Sequence, residues 1–134
     1  MASASSPASI HQDLSRLLIG QDGLEFAVLV GSRATGRAHE HSDWDIAVQW
    51  QPTIGWLSAV ARTEQLRRAL AVVLRLDESE VDLIDLRRAN LAMRAAVAEE
   101  GIPLCGEDSL AWQYFLKRTW RDLEDFYWEQ RHAA

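Results

Sequence analysis

VLVGSRATGRAHEHSDWDIAVQW, residues 28–50, sets two short apolar runs around a polar loop that opens on Gly31-Ser32 and closes on Asp43 and Asp45. The first run starts two residues earlier, as Phe26-Ala27-Val28-Leu29-Val30. A continuous apolar run of that length ended by a glycine predicts a buried strand. The second, Ile46-Ala47-Val48 with Trp50, predicts another strand, bounded by Pro52. Between them, Gly31 permits a tight turn and a close backbone approach to a ligand. A helical turn starting just after it would aim its unpaired N–H groups at that turn. Such a turn is an anion site suited to a triphosphate, with the Ser32 hydroxyl as a further donor. Ten residues separate Ser32 from Asp43, and Asp45 follows two positions on, at the start of the second strand. Residues i and i+2 of a strand share a face, so the two carboxylates would stand side by side. That arrangement is unfavourable unless a cation lies between them, and a small cluster of hard oxygen ligands suits Mg²⁺. Ser42 is placed to cap the turn or to bond a phosphate.

Working outward, helices and strands alternate. Ser6-Pro7 predicts a helix start, and Ile10, Leu14, Leu17 and Leu18 keep helical spacing up to Gly20 and Gly23. Apolar residues return at helical intervals from Thr53 to about Leu76, at Trp56, Val60, Leu66, Leu70 and Val73. A third strand is predicted at Val81-Asp82-Leu83-Ile84-Asp85-Leu86, then a helix from about Asn90 to Gly101. Ile102-Pro103-Leu104-Cys105 makes a short extended piece, which proline restricts to a sheet edge. Asp108 or Ser109 caps a last helix over residues 107–131. The pattern is α/β (α+β), with a small mixed sheet flanked by helices in a single domain, 1–134. Residues 1–6 are expected to form a disordered leader.

The third strand offers a third carboxylate. Asp82 and Asp85 lie three positions apart and face opposite sides of a regular strand, so only one of them can join the cluster, and Asp82 is the expected member. A base or metal ligand there would complete a two-metal in-line displacement, with metals typically about 4 Å apart.

The last helix is crowded with aromatics. Trp112, Leu116, Trp120 or Leu123, and Tyr127 would form one core stripe. Tyr114, Phe115, Phe126 and Trp128 exceed what one core face needs, and a partner or self-association surface is the competing use.

Bulk properties bound the function. The 134 residues, 48% hydrophobic and 25% charged, fit one soluble globular unit. A formal net charge of −6 argues against general nucleic-acid binding through phosphate contacts, although carboxylate-held metal could still carry a nucleotide. No apolar stretch approaches the roughly 18 residues of a membrane span, and the first residues lack the pattern of a secretory signal. The single Cys105 excludes an internal disulfide framework and suits the cytoplasm. His39 and His41 flank Glu40, but loop histidines are ordinarily unliganded.

Gly31-Ser32, ten residues, then Asp43-Trp44-Asp45 resembles the signature of the polymerase-β-like nucleotidyltransferase superfamily. The fuller form, GSRATG and SDWDIAV with VDLIDL downstream, looks like its minimal nucleotidyltransferase (MNT) branch, which includes the antitoxins of HEPN/MNT toxin–antitoxin pairs. The resemblance implies the fold of that superfamily and ATP as substrate. It implies that Gly31, Ser32, Arg33 and Ser42 bind nucleotide, that Asp43 and Asp45 hold magnesium, and that Asp82 completes the triad. Arg37 matches a second position that is often basic. Trp44 departs from the small or aliphatic residue usual there and should point away from the metals. The implied function is an antitoxin that transfers AMP to a side chain, often a tyrosine, of a HEPN-type ribonuclease toxin. A protein acceptor brings its own shape, so a bare catalytic domain suffices. Two alternatives stand beside it: an antitoxin that neutralises by binding alone, and a dimeric nucleotidyltransferase acting on small molecules.

Overall fold

The computed structural model describes residues 7–133. The expected leader, 1–6, lies outside them. Helix α1 (Pro7–Ile19) leads into β1 (Leu24–Val30), and a four-residue helix, α2 (Ser32–Thr35), follows Gly31. Strand β2 (Trp44–Trp50), the long α3 (Trp56–Leu74) and β3 (Val81–Asp85) come next, with 3₁₀ turns at Glu78–Glu80 and Leu86–Arg88 on either side of β3. The chain ends in α4 (Leu91–Glu100), β4 (Ile102–Cys105) and α5 (Leu110–His132). Caps explain several boundaries. Asn90 Oδ1 accepts from the Met93 N–H at the head of α4, and Ser109 Oγ accepts from the Trp112 N–H at the head of α5.

Among the described residues, four strands form one mixed sheet in the order β3-β2-β1-β4. β1 pairs antiparallel with β2 and β4, and β2 pairs parallel with β3. A parallel neighbour requires a crossover, which α3 supplies. β1 is an interior strand covered on both faces. Phe26, Val28 and Val30 pack towards Val97, Trp112 and Phe115 of α4 and α5, whereas Ala27 and Leu29 pack towards Leu14, Leu18, Leu66 and Leu70 of α1 and α3. This is why residues 26–30 are apolar without alternation. Each such large side chain contributes about 1.5–3 kcal/mol on burial. Pro103 lies on the edge strand, as expected. Gly106, just past β4, has φ 78° and sits against the backbone of Phe26, leaving no room for a side chain. Among the described residues, no helix is long and apolar enough to cross a membrane.

Two packing expectations shift. In α3 the buried positions are Ala59, Leu66, Leu70 and Ala71, while Trp56 and Val60 face outward. In α5 the buried stripe is Trp112, Phe115 and Thr119, not Trp112, Trp120 and Tyr127. Phe115 stacks on Trp112 at 5.5 Å and both rings meet Phe26, so the seam turns towards β1. The cause of the second shift is length. At 1.5 Å per residue α5 runs for roughly 35 Å, far beyond the ten-residue α4 it packs on. Its contact is pinned by the Arg94–Asp122 ion pair at 3.0 Å, and every described residue from Glu124 on is exposed. Tyr127 is 56% exposed for that reason, whereas Trp120, which precedes Asp122, is 41% exposed because it lies off the buried stripe.

Thr119 is fully buried and its hydroxyl has no hydrogen-bond partner among the described residues. Replacing that hydroxyl by a methyl group removes an unmet desolvation cost. Thr119→Val is therefore expected to raise unfolding stability by about 1 kcal/mol in urea titration; a lowered midpoint would show that the hydroxyl is satisfied in solution.

Candidate active site

The carboxylates gather where the central strands end. In the sheet register Val30 of β1 lies opposite Asp45 of β2, and Asp45 lies opposite Asp82 of β3. Registered neighbours point to the same face, here the face covered by α4 and α5. Asp43 precedes β2 in the loop, so it reaches the cluster from outside the strand rather than by strand alternation. Asp85 lies in register with Val48 on the opposite face, and its Oδ1 accepts from the Arg87 N–H, capping the turn after β3. A cleft of about 250 Å³ runs beneath α4, bounded by Gly31, Asp45 and Asp82 together with Val30, Ile84 and Met93.

Gly31 closes this corner. Its φ of 73° is open to glycine, and a Cβ there would run into the Asp45 carboxylate. The carbonyl of Gly31 accepts from the N–H groups of Ala34 and Thr35, which starts α2 immediately after the strand. The Ser32 and Arg33 N–H groups belong to the first turn, where the helix itself supplies no acceptor. Ser32 therefore stands at the head of a helical turn, directly after the glycine that packs against Asp45.

Arg33 and Ser42 are brought together, but with each other. The Arg33 Nε and Nη2 groups donate to the Ser42 carbonyl at 3.1 and 2.7 Å, and the guanidinium lies 4.6 Å from the Trp44 ring centroid. Ser42 Oγ accepts from the His39 N–H at 2.9 Å. Both residues thus brace the loop that delivers Asp43. Trp44 is buried in the α1/α3 core and points away from the carboxylates, as expected. His39 and His41 engage each other and Glu40 at the surface. Cys105 is buried, which pushes its thiol pKa up, and it pairs with Ala27 in the sheet rather than facing the cleft.

Burial holds the Asp45 carboxyl above its ordinary value of 3.8, and the charges of Asp82 and then Asp43 push it further up. A carboxylate whose ionisation is made costlier by burial and by two neighbouring anions is the kind of donor that a divalent cation relieves. Among the described residues no three carboxylate, imidazole or thiol groups form a ready-made metal cage. The residues missed by sequence reasoning are those of α4 that wall the cleft: Met93, Ala96 and Glu100. Their spacing of three and four residues was visible, but nothing in it tells a cleft wall from a core face.

The family model for the polymerase beta nucleotidyltransferase domain matches residues 12–110. The protein adenylyltransferase MntA of Shewanella oneidensis is 40% identical over 83 residues, which make up 62% of this chain and 55% of that relative. The chain therefore matches little more than half the length of that relative. Among solved structures, the fold superposes with a TM-score of 0.69 on a chain of a toxin–antitoxin crystallised with AMP-PNP, at 27% identity, covering 90% of this chain and 92% of that one. It superposes with a TM-score of 0.63 on a chain of the MntA–HepT toxin–antitoxin, at 25% identity and 91% coverage of each.

A carboxyl group with a raised pKa adds stability below its unfolded value and loses that contribution as pH rises through the folded one. Without metal, Asp45→Asn should therefore melt above the wild type at pH 7, and the gap should close as pH falls towards 3.8. Magnesium should raise the wild-type melting temperature and leave the variant's nearly unmoved. A variant that melts lower than the wild type in EDTA at pH 7 would contradict this electrostatic picture.

Proposed function

Since the chain belongs to the polymerase beta nucleotidyltransferase family, we propose that it is a magnesium-dependent protein adenylyltransferase, an antitoxin that transfers AMP from ATP to a tyrosine hydroxyl of a HEPN-type toxin in the cytoplasm. The observation that carries this reading is the strand register that sets Asp45 beside Asp82 on one face, with Gly31 packed against the Asp45 carboxylate. Its relatives support the acceptor class: the Shewanella oneidensis protein is a protein adenylyltransferase, and the AMP-PNP complex is a toxin–antitoxin. Binding alone has no use for clustered charge.

In this account Asp43, Asp45 and Asp82 hold Mg²⁺, which when bound neutralises the triphosphate and the departing pyrophosphate. The Gly31-Ser32 turn receives the β- and γ-phosphates, through first-turn N–H groups and the Ser32 hydroxyl. The tyrosine oxygen attacks the α-phosphorus in line, a new O–P bond forms, and the bond from the α-phosphorus to the α,β-bridging oxygen breaks. Pyrophosphate leaves on the side of the turn. The hydroxyl proton passes to the carboxylate of Asp82, exposed on the edge strand where a large acceptor can approach. Arg33 and Ser42 keep Asp43 in place by bracing its loop.

One observation favours a second reading, neutralisation by contact. The free end of α5 exposes Trp120, Phe126, Tyr127 and Trp128, a set of residue types suited to a protein partner. The two readings are separated by incubating the chain with a HEPN-type toxin, ATP and Mg²⁺, and taking intact masses of both. One or more added AMP units on the toxin are expected with the wild type, and none with Asp43→Asn, which removes a charged ligand at nearly constant volume. A stable complex with no mass change would transfer the assignment to neutralisation by binding.

A further inference from the structure

The 250 Å³ cleft at the carboxylates does not end there. It shares Ile84, Met93 and Ala96 with a second cleft of about 540 Å³ that opens at the surface beside Arg88, between β3 and α4. The two adjoin along these three residues, giving a composite groove bordered by Asp45 and Asp82 at one end and by Arg88 at the other. We infer that this groove is the acceptor subsite, and that Ala96 sets the width through which an aromatic hydroxyl side chain reaches the α-phosphate. The inference rests on the adenylyltransferase reading and adds to it a place and a selective residue.

Direction comes from the register. Val30, Asp45 and Asp82 stand opposite one another across β1, β2 and β3, and the Gly31-Ser32 turn follows Val30. Pyrophosphate leaves towards that turn, so an in-line nucleophile arrives from the opposite end of the row, the Asp82 side. The groove leads out on that side. Its walls have the chemistry of a ring-binding slot: Ile84 is apolar, and the Met93 thioether is suited to an aromatic edge. Met93 and Ala96 lie three apart on α4 and share a face, so the alanine leaves a gap next to the thioether. A bulky residue at Ala96 would narrow that gap where the two clefts adjoin. Ala96 itself is exposed, so α4 can carry a larger side chain there without disturbing the core.

A graded series tests this: Ala96→Ser, Ala96→Leu and Ala96→Trp, each with two readouts. The first is the rate of AMP addition to the HEPN-type protein by intact mass. The second is the rise in melting temperature with Mg²⁺ and AMP-PNP, which reports nucleotide binding and an intact fold. The rate should fall as the side chain grows, least for Ala96→Ser, more for Ala96→Leu, and by about 100-fold for Ala96→Trp, the scale of a misplaced reactant. All three should keep the wild-type thermal rise. Undiminished transfer by Ala96→Trp, beside an active wild type, overturns the inference alone. A Leu and Trp series that loses the thermal rise overturns it too, because the groove would then hold the nucleotide. A wild type that transfers nothing overturns the inference together with the reading beneath it.

Discussion

Like charges in register on adjacent parallel strands repel, and the β2–β3 pairing puts Asp45 and Asp82 in that relation with Asp43 close by. The rest of the structure serves to hold this arrangement. β1 supplies the rigid centre, buried on both faces, and ends at a glycine that alone fits against the Asp45 carboxylate. α3 provides the crossover that makes β3 parallel to β2 and so brings Asp82 into register. α4 roofs the face to which the carboxylates point, and the Arg94–Asp122 pair ties that roof to α5. The electrostatic cost at the cluster is local, and a bound cation reverses its sign.

Most of this was legible before any coordinates. Residues 26–30 announce a doubly covered strand because both faces of β1 are packed. Gly31-Ser32 and the Asp43/Asp45 pair announce the site because the residue types and their spacing follow from the turn and the strand start. Strand parity admits one of Asp82 and Asp85, and the resemblance points to Asp82; the register sets Asp82 opposite Asp45, while Asp85 caps its own turn. What stayed hidden depends on tertiary placement. Arg33 bears a charge suited to phosphate, yet its guanidinium is spent on the Ser42 carbonyl and the Trp44 ring. The α4 wall carries no chemical signal, since Met93 and Ala96 read as ordinary helix residues until the sheet face beneath them is known. The buried arc of α5 could not be read either, because where a helix leaves the body depends on what it packs against.

The two ends of the molecule have different characters. At the cleft, side chains are fixed by register, a glycine turn and a braced loop, as would suit the proposed site, which must hold reacting groups in line. At the far end of α5 the helix runs out from the body with its aromatics uncovered and acidic residues among them, Glu124, Asp125 and Glu129. On the proposed reading the substrate is a protein, and such a catalyst needs both a narrow place for the reacting side chain and a broader surface for the body that carries it. The groove and α5 would serve those two scales.

The central claim is that the three carboxylates and the Gly31-Ser32 turn form one nucleotide-metal site. Anomalous diffraction from crystals grown with Mn²⁺ and AMP-PNP addresses it without relying on activity or on knowing the acceptor. The account predicts a manganese peak at coordination distance, about 2.2 Å, from the carboxylates of Asp43 and Asp45, with the triphosphate against the Gly31-Ser32 turn. A metal peak away from these carboxylates, or a triphosphate lodged elsewhere on the chain, would contradict it.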